Sequence, residues 1–343
     1  MSFRTIAITG GAGFIGSHVV DAFVQAKQQG ILKCATILIM DIFDYCASGK
    51  NICKALAEDF VIVEKGDICD VKFVQTCFQR HKIDAIVHLA ALSHVDNSFG
   101  NSLDFTTVNI LGTHVLLEVA RQVWSDESDS LVNKRFLHIS TDEVYGSDNN
   151  VVHCESTSIL QPTNPYAASK ASAEMLAHAY WKSYGMPVVV SRSNNVYGPR
   201  QYPEKVIPKF VCRLKSGLLP QLQGSGAQKR SFLYCTDAAR GLLDIFLKGA
   251  AGNVYNIASE DEISVKELAE HVCKHFDIKC DQFKRVSDRP FNDVRYHIDC
   301  SKLASEIGFK PRVAFDEGLR VTIDWYMKCL LHDYWDKLPD DLF

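Results

Sequence analysis

The sequence predicts an α/β fold: a parallel sheet covered by helices on both faces, with a smaller α/β lobe after it. Three observations predict this. Through the first half, short apolar runs rich in Val and Ile alternate with amphipathic stretches, the pattern of strands buried on both faces and joined by helices. A glycine-rich turn stands directly between the first such run and the first amphipathic stretch. Beyond about residue 192 the rhythm changes to Pro-, Gly- and Arg-rich segments, and shorter elements follow.

In order, the candidate strands are TIAIT (5–9), TILIM (36–40), FVIVEKGD (60–67), AIVHLA (85–90), FLHIS (136–140) and PVVVSR (187–192). Apolar residues three and four apart in VVDAFVQA after residue 18 and VQTCFQRH after residue 73 mark covering helices. After NNVYGPRQYPEKVIP and QGSGAQKRSF, a helical pattern returns at 236–249, a strand at 254–258 and a helix at 265–276. Residues 1–192 are read as the first unit, with 229–258 returning to it, and 193–343 as most of the second lobe.

Composition narrows the function. Acids and bases are mixed, the formal net charge is -4, and no Lys/Arg run marks a nucleic-acid surface. The 12 cysteines form no Cys-x-x-Cys pair and no Cys/His cluster with zinc-finger spacing, so reduced thiols and no metal are expected, with disulfides as the alternative. No apolar stretch approaches the ~20 residues that cross a bilayer. A strand pattern starts almost at the first residue and leaves no room for a leader, so a cytoplasmic protein without a membrane partner is expected.

The turn after the first strand reads TGGAGFIGSH, with Gly10, Gly13 and Gly16 spaced Gly-x-x-Gly-x-x-Gly. Glycines there permit a tight turn and close backbone approach to a pyrophosphate, and the helix that follows offers free N–H groups. This context points to a Rossmann-like, doubly wound sheet. Phe14 and Ile15 lie within the turn. Asp41 ends the second strand, where an acid can accept ribose hydroxyls and repel a 2′-phosphate, favouring NAD over NADP. Asp67 and Ile68 end the third strand near the adenine edge. Leu89, Ala90 and Ala91 end the fourth, where small residues let a cofactor lie close.

The fifth strand ends in STDEVYG (140–146), which places Asp142 beside Glu143. An isolated pair of this kind is usually a solvated loop, because adjacent acids repel. Further on, YAASK places Tyr166 and Lys170 on one helix face, four residues apart. A nearby ammonium lowers a phenol's pKa towards usefulness as a base. Thr141 adds a hydroxyl at the tip of the strand 25 residues upstream of Tyr166.

The glycine pattern, the strand-end Thr and Tyr-x-x-x-Lys together resemble the extended short-chain dehydrogenase/reductase family. Within it, STDEVYG is similar to the nucleoside-diphosphate-glucose 4,6-dehydratases, as are SHVDNS (93–98), SNNVYGPRQYPEKVIP (193–208), KRSFLYCTD (229–237) and DRPFNDVRY (288–296). The resemblance implies that Tyr166, helped by Thr141 and Lys170, deprotonates the sugar 4-hydroxyl while hydride passes to NAD. Glu143 would then take the C5 proton and Asp142 would protonate the departing 6-hydroxyl. An elimination across C5–C6 needs one acid and one base on a short span, which two neighbouring carboxyls supply.

The resemblance also implies a nucleotide-sugar substrate held by Ser93, Asn195, Lys205, Arg230, Asn256, Arg289 and Asn292. Arginine forks match phosphate oxygens, although each Arg alone could equally be a surface ion pair. Asn292 stands where many bacterial dTDP-glucose enzymes have a His. RSFLYC and RPFNDVRY look closer to the UDP-glucose 4,6-dehydratase domain that begins plant rhamnose synthases. UDP-glucose is therefore expected, with dTDP-glucose as the alternative, since a pocket separates one methyl by only ~1–3 kcal/mol. A sugar-nucleotide 4-epimerase and a non-catalytic NAD-binding scaffold are the remaining readings. By the same resemblance, helices near 101–122 and 165–184 would pair in a homodimer through a four-helix bundle. The tail LHDYWDKLPDDLF has no reading from sequence.

Overall fold

The computed structural model describes residues 1–126, 131–148, 151–279, 283–288 and 290–343. Its strands are β1 (Phe3–Thr9), β2 (Cys34–Asp41), β3 (Val61–Lys65), β4 (Ile83–His88), β5 (Arg135–Thr141), β6 (Val188–Ser193), β7 (Asn195–Tyr197), β8 (Gln221–Gln223), β9 (Lys229–Tyr234), β10 (Val254–Ile257), β11 (Glu262–Ser264) and β12 (Lys284–Val286). Seven of them form one sheet in the order β10-β6-β5-β4-β1-β2-β3, parallel throughout. The strand order turns back on itself beside β1, so a crevice opens past the carboxyl ends of β1 and β4.

The period-2 geometry of a strand divides its apolar run between two layers. Ile6, Ile8, Ile37 and Ile39 pack into one core layer, with Val20 and Phe23 of the helix Phe14–Gln28 and Phe246 of the helix Cys235–Lys248. Ala7, Leu38 and Met40 point into the other, against the helices Val71–His81, Gly112–Asp126 and Pro165–Tyr184. Helices on both faces explain why β4 and β5 are buried at every residue.

Capping residues set the helix ends. The Asp70 carboxylate accepts the N–H groups of Lys72 and Phe73 and starts the helix Val71–His81. The helix Pro165–Tyr184 begins with an Asn164 cap and Pro165 and stops at Gly185, whose φ is +66°. Ser264 and Glu267 form a capping box at the start of Val265–His275.

A second sheet, β11-β9-β7, and the pair β12-β8 form the smaller C-terminal part. Within 229–258, β9 pairs with β7 and β11, whereas the helix Cys235–Lys248 and β10 lie on the seven-stranded sheet. The sequence pattern missed β7, β8, β9, β11 and β12, and the helices Val206–Lys215 and Phe315–Lys328. Ten described cysteines are free, as expected of most of them, but Cys273 is disulfide-bonded, so the alternative holds there. Among the described residues, no helix is long and apolar enough to cross a membrane.

Candidate active site

The crevice holds a cavity of about 460 Å³, walled on one side by the ends of the parallel strands and on the other by the C-terminal part. Gly10 takes a φ of +69°, and a Cβ there would meet the Ala90 nitrogen at 2.7 Å. A Cβ on Gly16 would lie 2.0 Å from the Gly10 carbonyl oxygen. Only glycine fits either place. The helix Phe14–Gln28 starts at Gly13 without a side-chain cap, and Gly13, Phe14, Ile15 and Gly16 line the cavity. Uncapped N–H groups at a helix start suit an anion.

β2 delivers Asp41 to the same wall. Its carboxylate accepts the Ala12 N–H at 2.8 Å and the Phe43 N–H at 2.7 Å, and burial pushes its pKa up. Asp67 lies at the exposed rim with Ile68 buried beside it, and Leu89, Ala90 and Ala91 form the facing wall. A glycine cradle, an uncapped helix start and a strand-end acid fit a dinucleotide such as NAD.

The acids stand where β5 ends. A single helical turn, Asp142–Tyr145, starts there and breaks the alternation of the strand, so neighbouring carboxyls need not point to opposite faces. Thr141 accepts the Glu143 N–H at 3.3 Å and donates to Asp142 Oδ1 at 3.2 Å. Asp142 Oδ2 accepts from Asn194 Nδ2 at 2.9 Å. Only 2% of Asp142 is exposed, and burial, with Glu143 close by, pushes its pKa up to about 7. Glu143 lines the cavity and accepts from Asn164 Nδ2 at 3.1 Å; the Tyr296 hydroxyl lies 3.4 Å from the same carboxylate but donates its one proton to Asp293. Burial raises its pKa as well.

Tyr166 and Lys170 face the cavity from the helix Pro165–Tyr184. The Lys170 ammonium donates to the Ile139 carbonyl at 2.7 Å, and burial lowers its pKa to about 8. Burial and the Glu143 carboxylate hold the Tyr166 phenol above its ordinary value, while a hydrogen bond with Thr141 acts the other way. The expected lowering of the phenol by Lys170 is corrected here, because that ammonium is turned to a strand carbonyl.

Across the cavity, Lys205 donates to the Ser93 carbonyl at 2.8 Å. Arg230, on β9, donates to the Lys229 and Asp293 carbonyls at 2.8 and 2.9 Å, and its guanidinium lies over the Tyr296 ring at 4.7 Å. Asn195, Lys205, Arg230 and Tyr296 all line the cavity.

Residues 7–322 match the family model described as GDP-mannose 4,6 dehydratase. The chain belongs to that family. It is 43% identical over 326 residues to a trifunctional UDP-glucose 4,6-dehydratase/3,5-epimerase/reductase of Arabidopsis thaliana, covering 94% of this chain but 47% of that protein. It is 42% identical to a dTDP-D-glucose 4,6-dehydratase of Mus musculus, covering 95% of this chain and 89% of that one. The crystal structure of DesIV, a dTDP-glucose 4,6-dehydratase from Streptomyces venezuelae with NAD bound, superposes with a TM-score of 0.88 at 36% identity, covering 94% of this chain and 97% of that chain. The chain is an NAD-dependent sugar-nucleotide 4,6-dehydratase.

The structure of this dehydratase brings most of the singled-out residues to one cavity. Among the described residues three do not line it: Asp142, buried behind Thr141 and Asn194, Asn256 and Asn292. Asn256 is fully buried away from it: its Oδ1 accepts from Tyr145, and its Nδ2 donates to the His153 and Asp299 carbonyls. An amide spent on three segments of its own chain has nothing left for a sugar. Asn292 donates to Asp288 at 2.7 Å and does not line the cavity. Arg289 lies outside the described residues. Sequence reasoning in turn missed Asn164, Asn194 and Tyr296. Asn before Pro at a helix start is a capping signature that could have found Asn164. Asn194 sits beside Asn195, and no local pattern distinguishes the two.

Proposed function

We propose that this dehydratase acts on UDP-glucose, converting it to UDP-4-keto-6-deoxyglucose and water. The observation that carries the reading is the pair Asp142–Glu143 in unlike surroundings. Asp142 is enclosed and carries its proton up to a pH of about 7, as an acid should. Glu143 faces the cavity with the Asn164 amide donating to it, and a hydrogen bond to the charged form favours a carboxylate base.

Bound NAD supplies the acceptor for the hydride from C4 and returns it to C6. Tyr166 takes the proton of the 4-hydroxyl, helped by its hydrogen bond with Thr141, and Lys170 assists once substrate and cofactor draw its ammonium from the Ile139 carbonyl. The new 4-keto group acidifies C5, and Glu143 removes that proton. Asp142 protonates the departing 6-hydroxyl, and water leaves. Glu143 returns its proton to C5 as the hydride adds at C6, which leaves a methyl group. Solvent resets the protons on Tyr166 and Asp142. A 4-epimerase has no use for an acid–base pair at C5 and C6.

Arg230 and Lys205 are the groups placed to hold the diphosphate, with Ser93 and Asn195 near the sugar. In this reading residues 1–192 with 229–258 hold NAD, and most of 193–343 holds the nucleotide sugar. The preference for uracil over thymine rests on the RSFLYC and RPFNDVRY segments and on the Arabidopsis relative's name. A homodimer through the helical segments near 101–122 and 165–184 is part of the same proposal. Leu103, 78% exposed, and Met175, 61% exposed, are apolar side chains on the two segments that such a partner would cover.

Proton NMR of the purified protein with NAD and either UDP-glucose or dTDP-glucose tests the reading. A new C6 methyl signal is expected with UDP-glucose. The same signal with dTDP-glucose alone would keep the mechanism and reverse the base. No methyl signal from either would sink the dehydratase mechanism.

A further inference from the structure

No described residue of the C-terminal tail, 330–343, lines the cavity, yet the tail is tied to both of its walls. On the cofactor side, Ser48 donates to the Tyr334 carbonyl at 2.9 Å, and the Tyr334 hydroxyl donates to Asn51 Oδ1 at 2.9 Å. The Lys50 ammonium meets the Asp333 carbonyl and lies over the Tyr334 ring at 5.9 Å. Asn51 is buried, and its Nδ2 donates to the Ala12 carbonyl at 2.7 Å. The Ser48 N–H reaches the same carbonyl at 3.2 Å, and the Ala12 N–H is held by Asp41 at 2.8 Å. The Ala12 peptide, between Gly10 and Gly13, is therefore pinned at both ends. On the opposite wall the Tyr202 hydroxyl donates to the Lys337 carbonyl at 2.9 Å, and buried Trp335 packs on the Tyr202 ring at 5.6 Å.

We propose that Tyr334 is a positioning residue for cofactor binding, holding the glycine turn in its binding shape through Asn51 and the Ala12 carbonyl. The inference rests on the reading of that turn as the NAD site. A glycine-rich turn has much conformational freedom to lose on ordering. A turn fixed before NAD arrives has less to lose on binding, so affinity rises. Coupling of this kind is reciprocal, so NAD must also steady the tail.

Calorimetric titration of the full chain with NAD, for wild type and Tyr334→Phe, tests the proposal. The variant is expected to bind NAD roughly two- to tenfold more weakly, the value of one hydrogen bond. Its affinity for UDP should not change, because Lys205 and Arg230 do not depend on Asn51. Asn51→Ala should weaken NAD binding at least as much. In the wild type, NAD should slow hydrogen exchange at the Tyr334 and Trp335 amides, which are bonded to the Leu330 and Leu331 carbonyls. Wild-type NAD affinity in Tyr334→Phe would overturn the inference, as would tail exchange indifferent to NAD. A parallel loss of NAD and UDP affinity would also overturn it, because that marks general loosening. A wild-type chain that takes up no NAD would overturn the functional reading and this inference with it.

Discussion

Asp142 and Glu143 share one turn of backbone but not one environment. Asp142 is enclosed between Thr141 and Asn194, and Glu143 opens to the cavity under Asn164 and Tyr296. A carboxyl raised to about 7 keeps its proton below that pH and loses it above. The proposed acid for C6 is therefore present at pH 6 and disappears as pH rises towards 9. Dehydration by the wild type should fall along that limb. Asp142→Asn cannot donate the proton and should lose about 10²–10⁴-fold in water elimination. Oxidation at C4 should survive, so a 4-keto-glucose nucleotide should accumulate in quenched-flow mass spectrometry with no 6-methyl product. Fast elimination in this variant would remove Asp142 from the mechanism.

The helix Pro165–Tyr184 joins folding to chemistry at its first turn. Asn164 accepts the Ala167 N–H with its Oδ1, which caps the helix, and donates to Glu143 with its Nδ2. Asn164→Asp separates the two duties. Asp caps about as well as Asn, so the melting temperature should stay within a few degrees. The new carboxylate replaces a donor with a like charge beside Glu143, and that raises the Glu143 pKa further. The acid limb of the pH–rate profile should move to higher pH, and each unit of movement costs about tenfold in ionised base on that side. A profile superposable on the wild type would remove Asn164 from the control of Glu143.

At the scale of the whole molecule, the cavity exists only because β9 and the loop before Val206–Lys215 face the ends of the parallel strands. The outer faces of the helical layer, with Leu103 and Met175 exposed, are proposed to meet a second copy of the chain. Leu103→Glu combined with Met175→Glu should turn a dimer into a monomer in light scattering, because buried like charges oppose association. A wild type that is already monomeric at micromolar concentration, or a variant that stays dimeric, would move the interface elsewhere.

The seven-stranded sheet was legible because its inner strands are apolar runs with both faces covered, and the edge strand β3 still shows its Val-Ile-Val run although it is only partly buried. Glycine spacing, the strand-end Asp41 and the i,i+4 pair Tyr166–Lys170 were legible because local geometry alone fixes where such residues point. The short strands β7, β8, β11 and β12 carry only three residues each, too few for a period to show, and they exist through their pairing. Partners far apart in sequence were equally hidden: Asn194 lies 52 residues from Asp142, and Tyr296 lies 153 from Glu143. Asn256 had the right residue type for a sugar ligand, but three distant segments claim its amide. Sequence by itself determined the sheet, the glycine turn and the types of the candidate catalytic residues, all of which follow from patterns within a few residues. Tertiary structure alone decided the raised Asp142 carboxyl, the turning of Lys170 towards Ile139 and the use of the tail, because burial and long-range contacts belong to no single segment.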